Sequence, residues 1–204
     1  SQWYYYKNNE PVTGLYTPEK DHTYYFNESS DKLGLMYTGF KKIDDNWYYF
    51  DENNTEGSMG SKHTGWLFRS SERQHYYFDD SGKMITGLYS TDKDHTYYFG
   101  TGEIKEDDLG KLYRGWVHIG HDWYYFNDYK EDGDEYCAAH SGWLTYRKAN
   151  KPNHYPKYYF NGDHKMVTGW LELGPSEKYY FYESGSKLGQ MATGTVNING
   201  TTYT

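Results

Sequence analysis

The tripeptide Tyr-Tyr-Phe recurs along the whole chain and constrains the fold more than any other feature. Seven complete copies begin at Tyr24, Tyr48, Tyr76, Tyr97, Tyr124, Tyr158 and Tyr179. A divergent copy, Trp-Tyr-Tyr-Tyr, begins at Trp3. Repeats with a period of about 20 to 50 residues are typical of proteins in which like elements stack on one another. We therefore expect an array of similar repeats rather than a conventional globular core.

A glycine, followed in most cases by a large residue, precedes each of the seven complete copies, and an eighth such glycine begins the last, incomplete repeat. These glycines are Gly14, Gly39, Gly65, Gly87, Gly115, Gly142, Gly169 and Gly194. Their spacing predicts a single repeat domain over residues 1–204. It contains about eight repeats that begin near those glycines, with a partial repeat at residues 1–13.

The composition indicates what such repeats use as a core. Val, Ile, Leu and Phe make up only 29 of the 204 residues. That is about 14%, below the roughly 20% at which composition indicates disorder. However, 43 residues are aromatic, namely 27 Tyr, 9 Phe and 7 Trp, and each ring can bury about 150–250 Å². We therefore expect a core made of stacked rings.

Each repeat has the pattern of a β-hairpin. Two short runs with alternating large residues are bounded by polar clusters such as Asp44-Asp45-Asn46, which is the pattern of two strands and a turn. A hairpin alone is marginally stable in water, so the repeats must bury their rings against their neighbours. The sequence therefore predicts an all-β fold, a solenoid of stacked β-hairpin repeats.

Charge and hydropathy exclude several classes of partner. The net charge is −8, which argues against nucleic acid and anionic membranes and favours cationic ligands. No stretch approaches the roughly 20 apolar residues that span a bilayer, so we expect no membrane insertion. No basic segment with an apolar run opens the chain, so any secretion signal is expected to have been removed.

The polar residues indicate neither a metal site nor a catalytic site. The acidic residues between Asp128 and Glu135 lack the full spacing of a calcium loop, and we interpret them as a solvated loop. Cys137 is the only cysteine, so no internal disulfide can form, and we expect a packed thiol. No pair of carboxylates recurs in a recognisable motif. We therefore predict no cofactor, no bound metal and no enzymatic activity.

The repeats carry a pattern that is similar to a known family, and the similarity covers essentially the whole chain. Gly115-Trp116, followed by Trp123-Tyr124-Tyr125-Phe126, and later Met166-Val167-Thr168-Gly169-Trp170, resemble the choline-binding (cell-wall-binding) repeat of pneumococcal and other streptococcal surface proteins. The repeats here are longer than in that family, and most lack the second Trp. The resemblance implies a left-handed superhelix of hairpins with choline held between neighbours by aromatic rings and a nearby methionine.

The physical chemistry of choline assigns residues to such a cage. A quaternary ammonium ion has no N–H to donate, so it is best held by the faces of several rings. Successive side chains of a strand point to opposite faces. A complete cage therefore takes the ring after the glycine and the Trp before Tyr-Tyr from one repeat, with the first Tyr of the next repeat. The first predicted choline-binding set is Trp116, Trp123, Tyr158 and Met166; the second is Phe40, Trp47, Tyr76 and Met84.

The remaining gaps between repeats depart from this pattern. His75 stands at the second Trp position after Trp66, and Lys157 and Lys178 stand there after Trp143 and Trp170. A lysine ammonium at that position is expected either to repel choline or to fill the cage itself. We therefore expect at most weak choline binding in these gaps.

These observations predict a non-catalytic secreted protein that is held non-covalently at the bacterial cell surface by phosphocholine on teichoic acids. The divergent repeats are expected to serve adhesion or regulation, with a host or cell-wall protein as a second partner. One alternative is a glucan- or glycan-binding module, in which rings would be paired with hydrogen-bonding Asp, Asn or Arg. Another is the attachment half of a lytic enzyme without its catalytic domain. The sequence begins at Ser1 and stops at Thr204, both inside repeats, and this is compatible with such a truncation.

Overall fold

The computed structural model describes residues 2–19, 22–53, 59–105, 107–128, 136–147 and 154–204. Its strands are β1 (Tyr6–Lys7), β2 (Glu10–Pro11), β3 (Gly14–Glu19), β4 (His22–Phe26), β5 (Gly39–Ile43), β6 (Asn46–Phe50), β7 (Gly65–Arg69), β8 (Gln74–Phe78), β9 (Gly87–Ser90), β10 (Thr96–Phe99), β11 (Gly115–Ile119), β12 (Asp122–Phe126), β13 (Gly142–Thr145), β14 (Lys157–Phe160), β15 (Gly169–Gly174), β16 (Glu177–Phe181), β17 (Val196–Ile198) and β18 (Thr201–Tyr203). The only helical element in the described residues is a 3₁₀ turn at Gly185–Lys187.

Each odd-numbered strand pairs with the even-numbered strand that follows it, which gives nine two-stranded sheets in the described part of the chain. The predicted all-β fold of stacked hairpins is confirmed. The chain divides into two compact units: the first contains residues 1–89 and 99–112, and the second contains residues 90–98 and 113–204. The single domain over residues 1–204 and the left-handed superhelix stay predictions.

The glycine before each large residue has a backbone role. Gly115 and Gly142, the first residues of β11 and β13, have φ angles of +76° and +78°. This left-handed conformation is costly for residues that carry a Cβ atom. Glycine therefore forms the corner at which the chain enters each hairpin, and this explains why it recurs at the start of the repeat.

The pairing register separates the rings of a repeat onto two faces. In the β11–β12 hairpin, Trp116 is directly opposite Tyr125, and Trp123 lies two residues before Tyr125. These three side chains share the face that we call the forward face, whereas Tyr124 and Phe126 lie on the opposite, rear face. The predicted separation of the second Trp from the first Tyr is thus confirmed for this hairpin.

The forward face of one hairpin packs on the rear face of the next. Tyr125 is buried with Leu144, Tyr158 and Phe160 of the following hairpin. Phe160 is fully buried, as are Phe50, Phe78, Phe99, Phe126 and Phe181, which end other copies of the tripeptide. Burying a Phe side chain stabilises a protein by about 1.5–3 kcal/mol relative to leaving it exposed. The Phe of each copy is therefore the centre of the core between hairpins.

Candidate functional site

The structure brings together the four residues of the first predicted cage. The ring centroid of Trp116 lies 4.7 Å from that of Tyr158, with an angle of 64° between the planes. It lies 6.4 Å from that of Trp123, with an angle of 74°. Met166 packs against the same cluster, and its backbone N–H donates a hydrogen bond to the carbonyl oxygen of Trp123 at 2.8 Å. We call this arrangement the Trp116 cage.

The walls of the Trp116 cage are held by further rings. Trp116 lies edge-on to Tyr125 at 5.3 Å and to Tyr146 at 5.7 Å, and His118 lies against the ring of Trp123 at 4.8 Å. Edge-to-face pairs of this kind contribute about 0.5–1.5 kcal/mol beyond their buried area. Tyr146 and His118 were not part of the sequence prediction. His118 could have been found from register, because it is directly opposite Trp123 in the hairpin.

The electrostatic character of the Trp116 cage favours a cation. Burial raises the pKa of Tyr158, so its phenol stays neutral at ordinary pH. Among the residues that the structure describes, no Lys or Arg side chain lies over the rings of Trp116, Trp123 or Tyr158. The ring faces, which carry the negative part of the aromatic quadrupole, are therefore not occupied by a cation of the described chain.

The second predicted cage also forms a cluster. Phe40 lies 5.0 Å from Tyr76 between ring centroids, and Met84 packs against the same buried group. The backbone N–H of Met84 donates to the carbonyl oxygen of Trp47 at 2.8 Å, as Met166 does to Trp123. The four residues therefore have backbone positions equivalent to those of the Trp116 cage. We call this arrangement the Phe40 cage.

An arginine of the chain itself lies in the Phe40 cage. The central guanidinium carbon of Arg69 is 5.3 Å from the ring centroid of Phe40 and 5.6 Å from that of Tyr49. Arg69 also forms ion pairs with Glu72 at 3.1 Å and with Glu52 at 3.7 Å. Phe40, one of the rings predicted to receive choline, thus already carries a cation of the chain. The sequence prediction missed this, because Arg69 is the last residue of β7 and only the fold places it on Phe40.

Two phenols complete the network around Arg69. The hydroxyl of Tyr49 donates to Glu52 at 2.8 Å, and that of Tyr76 donates to Glu72 at 2.7 Å. Burial and these hydrogen bonds raise the pKa of both tyrosines. The two carboxylates therefore balance the charge of the guanidinium and accept hydrogen bonds from the two neutral phenols. This network holds Arg69 in place.

The two gaps with a lysine at the second Trp position differ from each other. The ammonium of Lys178 lies 5.6 Å from the ring centroid of Trp170 and 2.5 Å from a carboxylate oxygen of Glu172. The side chain of Lys157 is exposed instead, and Trp143 in its hairpin packs on Tyr179 at 4.9 Å. A lysine at this position is expected either to repel choline or to fill the cage itself, and the ammonium of Lys178 lies at the aromatic face, as either outcome requires.

A histidine beside the Phe40 cage has acceptors on both ring nitrogens. Nδ1 of His63 lies 2.8 Å from Asp51 Oδ1, and Nε2 lies 3.1 Å from the carbonyl oxygen of Trp66. A neutral imidazole carries one N–H, so only the protonated ring donates to both. At the equivalent place, His140 has the same contact to Trp143, but its Nδ1 lies 3.0 Å from the neutral amide oxygen of Asn127 and not from a carboxylate.

These contacts predict that the stability of the first compact unit falls as pH rises. Burial lowers the pKa of His63, but the hydrogen bonds to Asp51 and Trp66 and the charge of Asp51 outweigh it, so the net pKa is raised. A raised folded-state pKa gives stability that is complete below the unfolded value of about 6.5 and is lost as pH rises through the folded value. Thermal unfolding measured between about pH 6 and pH 8 should show this fall, and Asp51→Asn should reduce it. An unchanged slope in Asp51→Asn would show that the ring is not held as imidazolium.

The sequence also leads to predictions about metal binding, the acidic loop, the cysteine and membrane insertion. In the described residues, no three His, Cys, Asp or Glu side chains are grouped so as to hold a metal ion. Most of the acidic stretch, residues 129–135, lies outside the described residues. Cys137 is buried, and burial raises the pKa of its thiol to about 11, as expected of a packed cysteine. The described chain contains no helix long and apolar enough to cross a bilayer.

Three segments of the chain match a known family of repeats. Residues 38–53, 115–128 and 168–187 match a family model described as a putative cell wall binding repeat. Glucosyltransferase-S of Streptococcus mutans is 25% identical over 193 residues, which cover 88% of this chain and 12% of that protein. The chain therefore spans about one eighth of that relative.

Two solved structures from Streptococcus pneumoniae are similar to this fold. CbpJ has 27% identity and a TM-score of 0.72, over 97% of this chain and 58% of that one. Choline binding protein F has 25% identity and a TM-score of 0.67, over 99% of this chain and 66% of that one. The chain thus spans less than two thirds of either protein. The resemblance to the choline-binding repeat family, predicted from the sequence, is confirmed.

Proposed function

We propose that these cell wall binding repeats hold choline headgroups, and that the Trp116 cage is the main binding site. The observation that carries the proposal is the set of three rings of Trp116, Trp123 and Tyr158, over which no cation of the described chain lies. The equivalent Phe40 cage carries Arg69. The same architecture that holds an internal guanidinium in one gap is therefore proposed to hold a ligand cation in the other.

The chemistry of the cage suits a quaternary ammonium ion. Its methyl groups carry the positive charge and contact ring faces without the loss of a hydrogen bond to water. Each cation–ring contact contributes about 0.5–2 kcal/mol. Three rings together then correspond to a dissociation constant on the order of millimolar. Firm attachment to a polymer that displays many headgroups would come from several contacts acting together.

This affinity fits attachment to phosphocholine on the teichoic acids of a bacterial cell wall. The net charge of −8 favours a cationic group. The proposed role is that of a secreted, non-catalytic binding module, because a cage of rings and a thioether supplies neither a nucleophile nor an acid–base pair. The divergent gaps, such as that of Lys178, are proposed to serve another partner.

The proposal predicts that Trp123→Ala weakens choline binding by about 10-fold or more, because it removes one wall of the cage. Isothermal titration calorimetry with choline on the native chain and on the variant measures this. Trp47→Ala is the matched control, because Trp47 has the equivalent backbone position in the Phe40 cage, where Arg69 already lies. It should bind choline as the native chain does.

Three outcomes would contradict the proposal. One is the absence of heat and of thermal stabilisation by choline at about 10 mM, which is several-fold above a millimolar dissociation constant. Another is an equal loss of choline binding in Trp47→Ala. The third is binding of a matched oligosaccharide alone, which would favour the glycan-binding alternative.

A further inference from the structure

We propose that the cavity beside Trp170 is a binding site for a neutral saccharide, separate from the Trp116 cage. This inference goes beyond the proposed choline binding and does not depend on it. The observation behind it is an exposed aromatic surface bordered by a carboxylate and an ammonium group, at the place where the Trp116 cage has a histidine and a second tryptophan.

The cavity has the size of a ligand site. Its volume is about 720 Å³, and its lining includes Trp170, Tyr180, Met191 and Tyr203, together with Glu172 and Lys178. Pockets for small ligands commonly have volumes of about 300–1,000 Å³ and combine an apolar lining with a few polar groups. The cavity can therefore take one or two sugar rings.

The aromatic lining offers a surface for stacking. Trp170 remains 42% exposed, although its centroid lies 4.9 Å from Tyr203 and 5.2 Å from Tyr180. These two edge-on rings restrict the indole and leave much of its surface open. A pyranose ring presents C–H groups on its apolar face, and that face can cover the indole and remove both surfaces from water.

The polar rim suits hydroxyl groups. Glu172 and Lys178 pair at 2.5 Å, yet their side chains are 64% and 57% exposed. An exposed ion pair contributes only about 0–1 kcal/mol, so a ligand can share these groups at little cost. A carboxylate only accepts hydrogen bonds and an ammonium only donates them, whereas a hydroxyl does both. Neighbouring hydroxyls of a sugar can therefore bond to both groups at once.

The charges at this cavity disfavour a lone cation or a lone anion as the ligand. Lys178 lies 5.6 Å from the centroid of Trp170, so a quaternary ammonium would meet a like charge at the ring face. An anion would meet the carboxylate of Glu172. Because the pair is neutral overall, the cavity favours an uncharged ligand with an apolar face and several hydroxyls.

Calorimetric titration with isomaltotriose, cellotriose and chitotriose tests the proposal. We expect one of the three to bind the native chain, Trp170→Ala to abolish that binding, and Glu172→Gln to weaken it about 10-fold through loss of a charged hydrogen bond. Glu172 is exposed, so Glu172→Gln tests the site without a change in the core. Trp66→Ala is the matched control, because Trp66 follows the glycine of another hairpin and has the same exposed fraction of 42%, and this variant should bind the sugar normally.

A swap variant separates this proposal from the choline proposal. Lys178→Trp restores a ring at the second Trp position, so it should lose saccharide binding and gain heat with choline. The absence of heat from all three sugars at about 10 mM overturns the saccharide proposal, and so does equal sugar binding by Trp170→Ala. Failure of choline to bind the native chain, with saccharide binding retained, overturns only the choline proposal.

Discussion

Phe160→Ala is expected to lower the free energy of unfolding by about 3–5 kcal/mol, because a large cavity in a rigid core cannot close. Phe160 is fully buried and packs with Tyr125, Leu144 and Tyr158. Its centroid also lies 5.7 Å from Trp116. The substitution should therefore weaken choline binding as well, since two cage walls rest on this ring.

Phe68→Ala provides the control for this prediction. Phe68 has the same side chain but is 55% exposed, so its removal should change stability by less than about 1 kcal/mol. Urea unfolding followed by tryptophan fluorescence measures both variants. A similar loss in the two, or a loss below about 1 kcal/mol in Phe160→Ala, would show that the Phe of each repeat is not the centre of the core.

Arg69→Met is expected to create a second choline site. Methionine keeps much of the volume of the arginine stem but removes the cation from Phe40 and Tyr49. Glu52 and Glu72, which pair with Arg69, would then face the vacated rings without a counter-charge. A choline cation should replace the guanidinium, and calorimetry should give a stoichiometry of about two in place of about one, with a single choline contacting several rings in each cage.

The double variant Arg69→Met with Trp123→Ala isolates the new site. It should bind more choline than Trp123→Ala alone, because the opened Phe40 cage would contribute most of its binding. Arg147→Met is the matched control, since Arg147 lies 5.9 Å from the ring centroid of Tyr155, outside both cages. If the double variant binds no more choline than Trp123→Ala, the Phe40 cage does not become a choline site when Arg69 is removed.

The gaps between hairpins share one frame but present different chemistry. The Trp116 cage offers rings without a cation of the described chain over them, the Phe40 cage carries a guanidinium, and the Trp170 cavity combines rings with an ion pair. The fully buried Phe residues and the glycine corners recur from hairpin to hairpin, so the backbone frame stays the same while residues such as Arg69 and Lys178 differ. Under the two proposals, divergence at a few positions changes the ligand class without a change of fold.

The composition of the two cages could be predicted from sequence because it depends on local geometry. Trp116 and Trp123 share a face through hairpin register, and Tyr158 reaches them because the next hairpin repeats the same alternation. These relations follow from the alternation of side chains along a strand and from the stacking of similar hairpins on one another. The exposed fraction of each ring, and the presence of a cation of the chain over it, could not be predicted in the same way.

The sequence by itself determined the hairpin repeat, the aromatic core and the positions of both cages, because each depends on spacing within a repeat or between adjacent repeats. Only the tertiary structure decided that Arg69 lies in the Phe40 cage, that Lys178 lies near the ring of Trp170, and that the protonated form of His63 satisfies two acceptors. A long side chain at a strand end can contact several different groups. Which of them it contacts depends on the carboxylates and rings that the fold brings within a few ångströms. That arrangement is a property of the packed hairpins and has no period in the sequence.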